Sequence, residues 1–391
     1  MQEKSSKTDH YIAFAVLLQS FLVILQQVLI AVFHMPPEAT TIYRVVLTAI
    51  PLSVAIAITI YRKWSVFLIV YSIALLILLL HIIIFPDNYI YIKQNSLRFL
   101  LPIVIPNVLC LMYLKDISIV ESALYKISWF TTFLALIYVV NFFSGRFLIE
   151  SYSMSFSYGL LLPMLSLYSD KRWYSVVAAL FLFIIAISIG SRGAAIVFVL
   201  FVVYDTFQYN KKYIIPSIIA IVVFFLFLPS LATWLDTIGI SSRTLNLLLG
   251  GEIGYMSGRD NIYDKALAVF WNSPVKGIGL FGDRVFLDGS YVHNFILELY
   301  LNWGIIVATL ILFYFGWKFI STYIKSDKKN RNTLVKYLFA GVAPLMASGS
   351  YLIDYDLGVF IGVLFLISRQ NKVKEVFSAK KNLVSNKSMR F

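Results

Sequence analysis

From Tyr11 to Phe33 the chain runs without one charged side chain, and further apolar stretches follow at 44–61, 66–85, 98–114, 124–143, 156–169, 173–190, 194–209, 213–231, 303–322, 334–351 and 356–369. A stretch of this kind has one economical solution. A helix of about 20 residues, rising ~1.5 Å per residue, matches a hydrocarbon core ~30 Å thick and satisfies its own backbone polar groups there. The expectation is therefore an all-α polytopic membrane protein of about 12 transmembrane helices. A chain that is 60% hydrophobic and 14% charged could not hide that surface in one soluble core. Two of the stretches are less regular: 156–169 is short, and 98–114 contains Pro102 and Pro106, so a kinked or re-entrant segment rivals a plain span at both. The first stretch is too long for a signal-peptide core and no small-residue cleavage site follows it promptly, so it is expected to be retained.

The net charge of +13 does not point to nucleic acid, because no basic patch interleaved with aromatics occurs on a soluble segment. The charge lies in the loops instead. With a cytoplasmic N-terminus, 23 of the 33 basic residues fall on the cytoplasmic side and 10 outside, the bias that insertion favours. Both termini are then cytoplasmic. The chain divides into helices 1 to 9 over 1–231, an extracytoplasmic loop with short helices over 232–302, helices 10 to 12 over 303–369, and a basic cytoplasmic tail over 370–391. The single Cys110 can form no internal disulfide. Arginine usage is inverted across the membrane. Arg44, Arg98, Arg146, Arg192, Arg243, Arg259 and Arg284 make up 7 of the 10 outer basic residues, against 5 arginines among the 23 inner ones. Lysine suffices for an insertion bias, whereas the planar guanidinium is suited to bidentate recognition of phosphate or carboxylate. The outer face is thus expected to hold an anion.

Three places on that face concentrate unusual residues. The apolar sequence from Trp173 to Tyr209 is interrupted only at Gly190-Ser191-Arg192-Gly193; as one helix it would be about 55 Å long, so it must fold back there. Ser191 can cap the next helix, and its amides and Arg192 would converge on one point where a phosphate fits. In YMSGRDNIYDKALAVFWNSPVKGIGLFG, residues 255–282, Ser257 and Asp260 suggest a capping box for a helix opening at Gly258, with Ile262, Ala266, Val269 and Phe270 at helical spacing. Arg259 in its first turn opposes the helix dipole unless an anion is expected. In GSYVHNFILELYLNWG, residues 289–304, Asn294, Glu298 and Asn302 fall on one helical stripe, with His293 about 100° from Asn294. That stripe is expected to line a water-accessible cavity while Phe295, Leu299 and Trp303 pack elsewhere.

An SRG at the start of a span, a GR opening a helix followed by P-x-x-G-x-G, and an HN-x-x-x-E leading into the next span resemble the bacterial O-antigen polymerase and O-antigen ligase superfamily over roughly 173–320. The resemblance implies a glycosyltransferase of the plasma membrane that works at its outer face on undecaprenyl-pyrophosphate-linked glycans. It also implies that His293, Arg192 and Arg259 are the catalytic positions. Ser191, Asn294, Glu298 and Arg284 are expected beside them as substrate-binding residues. The partners it implies are the lipid-linked glycans, membrane lipid, a chain-length regulator and a flippase of the same pathway, with no nucleic acid and no cofactor.

The residues agree with that chemistry. Two arginines and a helix start would stabilise charge growing on a departing pyrophosphate, and His293 would take the acceptor hydroxyl's proton or orient the phosphate. No metal is expected. The D-x-D spelled by Asp354 and Asp356 falls between two spans and reads as a solvated turn. A transporter would place its ionisable residues near the midplane, often in repeated halves, whereas this chain gathers them at one face.

Overall fold

The apolar runs become helices, and where those helices bend or stop the sequence supplies the reason. The structure is a computed structural model that describes residues 2–143, 154–189, 192–209 and 259–388, together with isolated residues between 215 and 237. Among the described residues it is all-helical. The helices are α1 (Gln2–Phe33), α2 (Pro37–Ile84), α3 (Tyr89–Asn95), α4 (Ile105–Met112), α5 (Ile117–Phe143), α6 (Met154–Ser169), α7 (Trp173–Ile189), α8 (Arg192–Tyr209), α9 (Asp260–Asn272), α10 (Asp283–Phe286), α11 (Phe295–Lys325), α12 (Lys328–Gly341) and α13 (Tyr355–Ser388). Among the described residues, five helical stretches are long and apolar enough to cross a bilayer: Lys7–Phe33, Pro37–Ile84, Pro86–Met112, Ile117–Asn141 and Phe295–Lys325. Trp173–Ser188 and Gly193–Gln208 are shorter apolar helices.

The expected spans 44–61 and 66–85 are joined in α2, whose backbone leaves helical geometry at Lys63 (φ −146°, ψ 42°). At ~1.5 Å per residue the 48 residues of α2 would run about 72 Å unbroken, so the interruption separates two lengths that each suffice to span. Arg62 beside the break is fixed by an ion pair to the buried Asp9 of α1. The proline-bearing run is irregular, as its prolines require. Residues Ser96–Val104 form a π-helical segment around Pro102 before α4 resumes the regular form.

The run 156–169 is α6, and its shortness follows from its place. Every residue from Phe156 to Leu167, apart from the half-buried Tyr158, is buried, the pattern of a helix surrounded by others. Its neighbours are α1, α5, α7 and α8. The same core takes in α12 and α13 through Leu334, Tyr337, Val363, Leu364 and Ile367.

Two expectations are corrected in this region. The run 334–351 is not one span: α12 stops at Gly341, where a Cβ would lie 2.5 Å from the Asp356 carbonyl oxygen, and a turn containing Pro344–Met346 follows. The chain then returns as an irregular segment to α13. Nor is Asp354-Tyr355-Asp356 a freely solvated turn. Asp354 caps α13 by accepting a hydrogen bond from Leu357 N (2.8 Å), and all three residues line interior cavities.

The bundle has two chemically distinct ends. At one, Asp9, Arg62, Lys115 and Arg369 come together: Asp9 also accepts from Lys115 N, and Arg369 donates to Leu114 O. Lys171 pairs there with Asp205. The opposite end carries Arg44, Asn88, the segment 259–294 and the returning segment 342–354.

Candidate functional site

The segment 259–294 is assembled on a break in α11. At Gly304 the backbone adopts φ 70°, ψ 171°, and a Cβ there would sit 2.0 Å from the Val275 carbonyl oxygen. Glycine is required by that approach. The chain 274–278 crosses the break and satisfies the backbone groups it frees: Ile305 N donates to Pro274 O (2.7 Å) and Ile278 N to Leu301 O (2.7 Å). Gly277 (φ 70°) lies so close that its own Cβ would be 2.6 Å from Gly304 N. On the far side Asn88 Nδ2 donates to the Ile278 and Leu280 carbonyls, which ties the turn to the end of α2. The P-x-x-G-x-G stretch is therefore a fixed brace. Above it α9 packs Ala266 and Phe270 against Val292 and Leu301.

The capping box expected at the start of α9 has its Ser257 outside the described residues. Arg259 itself occupies the N-cap position and makes no side-chain cap. Its guanidinium donates instead to Ala347 O of the returning segment and reaches Met154 Sδ of α6 (3.9 Å). Arg192 opens α8, but its side chain and all of Ser191 lie outside the described residues.

His293 stands just before α11 in left-handed backbone (φ 59°), a conformation a non-glycine side chain adopts at a cost. Its ring lies 4.1 Å from that of Tyr291, and its Nδ1 is buried without a hydrogen-bond partner. Burial, reinforced by the charges of Arg259 and Arg284, lowers its pKa to about 4, so the imidazole is neutral at pH 7. Strain and an orphaned ring nitrogen at one residue point to a ligand contact. Asn294 is the N-cap of α11: its Oδ1 accepts from Leu297 N (3.0 Å), and its Nδ2 donates to Met346 O (3.5 Å).

The stripe expected to face a water-accessible cavity faces a dry network instead. Glu298 and Asn302 are 0% and 1% exposed. Arg284, 2% exposed, donates to Asp283 Oδ1 (2.5 Å), Glu298 Oε1 (2.6 Å) and Ser350 Oγ (2.6 Å). Glu298 also accepts from Ser350 Oγ (2.5 Å) and Tyr351 N (3.2 Å), and Asp283 from Val292 N (3.2 Å). Trp303 Nε1 and Asn302 Nδ2 meet at Tyr351 Oη (2.9 and 3.1 Å). Polar groups of α10, α11 and the returning segment serve as one another's partners, except that Asn302 Oδ1 is buried without one. The sequence did not single out Asp283, Ser350 or Tyr351 as site residues. The run Ser348-Gly349-Ser350, polar inside an apolar stretch, was the available signal.

Tyr291 passes from His293 to two adjoining cavities of about 280 and 290 Å³, which share Val23, Arg44, Tyr291, Gly349, Asp354 and Tyr355. One extends past Phe99, Ile103 and Thr48, the other past Met154, Ser155 and Ser348 toward Arg259. Among the described residues no group of three or more His, Cys, Asp or Glu side chains gathers at one point. The polar groups on these walls are the Arg44 guanidinium, the Asp354 and Asp356 carboxylates, the Gln19 amide and the hydroxyls of serine, threonine and tyrosine, and the only cation among them is Arg44.

The family model described as O-Antigen ligase matches residues 176–312, a stretch that opens within α7 and ends within α11. It includes Arg192, Arg259 and His293 together with the Arg284–Glu298 network. No curated protein and no solved structure matches the chain.

Proposed function

We propose that the chain, whose residues 176–312 match the family model described as O-Antigen ligase, works as that superfamily does and is a polysaccharide polymerase. It would join undecaprenyl-pyrophosphate-linked repeat units at the outer face of the bacterial plasma membrane, in O-antigen, capsule or exopolysaccharide synthesis, beside a flippase and a chain-length regulator. The observation that carries the reading is His293: a neutral, strained imidazole with an unpartnered nitrogen, under the charges of Arg259 and Arg284 and against Tyr291, which lines both cavities.

The reaction needs one bond made and one broken. A hydroxyl oxygen of the acceptor glycan attacks the anomeric carbon of the donor, the bond from that carbon to the phosphate oxygen breaks, and undecaprenyl pyrophosphate leaves with the bonding pair. The hydroxyl proton passes to the free nitrogen of His293. Arg259 and Arg192 stabilise the charge that grows on the leaving pyrophosphate, without a metal. Arg284 and Glu298 are committed to each other, so their service to substrate is that of positioning residues: they fix Tyr291, His293 and the segment 342–354. Asn294 holds the start of α11 in the same way.

A ligase, which would move the finished polymer to a lipid A core, shares this donor chemistry, and the description of the matching family favours it as the second reading. Polymerase is preferred for the modest outer segment. The surface glycan of a deletion strain tests both. Single repeats on the anchor with long chains lost are expected; full-length polymer stranded on the carrier means ligase, and unchanged glycan sinks both readings.

A further inference from the structure

Arg44 belongs to none of the three motifs and lies outside the matched stretch 176–312. It stands about 10 Å along α2 from Pro37 at the helical rise. In this part of α2 the residues at Thr40, Arg44, Thr48, Leu52, Ala55 and Thr59 recur at intervals of three and four. Thr40, Leu52, Ala55 and Thr59 are buried, and Arg44 and Thr48 half-buried. Their neighbours Ile42, Tyr43, Val45, Val46 and Leu47 are exposed on the opposite face. Snorkelling carries a cation outward along a lipid-facing surface, so it does not account for an arginine on the inward stripe. An ionisable side chain held inside the bundle of a membrane protein marks a ligand path or site.

The other arginines described at this end differ from Arg44. Arg284 is consumed by Asp283, Glu298 and Ser350, Arg259 donates to Ala347 O, and Arg98 is exposed. Arg44 lines both cavities, yet among the described residues its guanidinium makes no hydrogen bond or ion pair. Two carboxylates share those walls, Asp354 in both cavities and Asp356 in the one that runs toward Met154. Asp354 is engaged by Leu357 N, and burial pushes it up to about 6, which softens its opposition to an anion. The cavity walled by Phe99, Ile103 and Thr48 is not lined by Asp356.

We propose that Arg44 holds a phosphate of the lipid-linked donor, and that the cavity walled by Phe99, Ile103 and Thr48 receives the first isoprene units of the carrier. The assignment rests on the function proposed above and adds to it a binding residue from the N-terminal half of the chain. An apolar pocket next to an uncommitted guanidinium matches a lipid diphosphate in both its parts.

The test is binding of undecaprenyl pyrophosphate, and separately of inorganic pyrophosphate, to the purified full-length protein in lipid nanodiscs. Arg44→Gln is expected to weaken both by about tenfold or more, as loss of a charge-assisted contact does. Thr48→Trp, which fills the apolar cavity one helical turn from Arg44, is expected to weaken the lipid diphosphate and leave inorganic pyrophosphate unchanged. If Arg44→Gln fails to accumulate, Arg44→Lys, which keeps the charge and loses the guanidinium fork, takes its place and is expected to weaken both ligands. Wild-type affinity for both ligands in a folded Arg44→Gln protein overturns the assignment while the parent function stands. Equal weakening of both ligands in Thr48→Trp overturns the isoprene pocket. Wild-type protein that binds no undecaprenyl pyrophosphate sinks the parent function, and the assignment with it.

Discussion

At the scale of single residues, His293 shows how burial sets a group's chemistry. A histidine lowered to about 4 stays neutral as pH falls from 7 to about 5, because the proton it would gain is opposed by desolvation and by two arginines. The dependence of kcat/KM on pH, which reports the free enzyme, is therefore expected to show no acid limb from His293 near the ordinary histidine value of about 6.5. Initial rates of lipid-linked repeat extension between pH 5 and 8 check this, and a limb near 6.5 assigned to His293 by its loss in a substituted enzyme would contradict it. Arg259→Lys is expected to lower kcat/KM by roughly tenfold or more with normal accumulation, because lysine keeps the charge but not the guanidinium fork. Wild-type rates in that variant would show that charge alone suffices. His293 was legible in the sequence as an ionisable group where hydrocarbon should follow, and Arg259 as a cation set against a helix dipole. Glu298 was legible as unusual, but its partner was not, since Arg284 and Ser350 reach it from 14 and 52 residues away. Spacing along one helix says nothing about what a second segment brings.

At the scale of elements, the break in α11 carries most of the site's architecture. Gly304→Ala places a methyl 2.0 Å from Val275 O in a backbone region that alanine resists, so it should displace the 274–278 brace and with it the support of α9. Gly316→Ala on the same helix is the control, since nothing lies within 4 Å of a Cβ there. The expected result is a drop of several degrees or more in thermal midpoint for Gly304→Ala alone, measured in detergent. Equal midpoints would mean that the brace does not hold the site. The Arg284–Glu298 pair makes a second test. Glu298→Ala leaves a buried guanidinium short of one counterion and should cost about 3–5 kcal/mol, whereas Glu298→Gln, which keeps the shape, should cost less. Chemical denaturation of the two variants checks the order, and equal stability would place the network outside the folding core. The sequence supplied both glycines and the polar stripe. It could not show that the stripe turns into a dry network, because periodicity specifies a face and not what covers it.

At the scale of the whole molecule, the arrangement is a bundle whose lysine-bearing loops meet at one end and whose arginine-lined cavities open at the other. The segregation was legible in the sequence, where basic residues are uneven between alternate loops and arginine dominates one set. The returning segment 342–354 was not legible, because Leu345, Met346 and Leu352 give it a span's hydropathy while Pro344 and Gly349 deny it a span's helix. If the insertion bias sets orientation, residues near Lys328 and after Arg390 face the cytoplasm and Asp288 faces outward, which puts His293 and Arg259 where the lipid-linked glycan is assembled. Cysteine labelling in intact cells reads this directly. The native Cys110 is fully buried, so a membrane-impermeant maleimide meets little background. A cysteine at 288 should label in intact cells, and cysteines at 328 and beyond 390 only after permeabilisation. The reverse pattern would turn the cavities toward the cytoplasm, away from any acceptor glycan, and the proposed glycosyl transfer could not occur there.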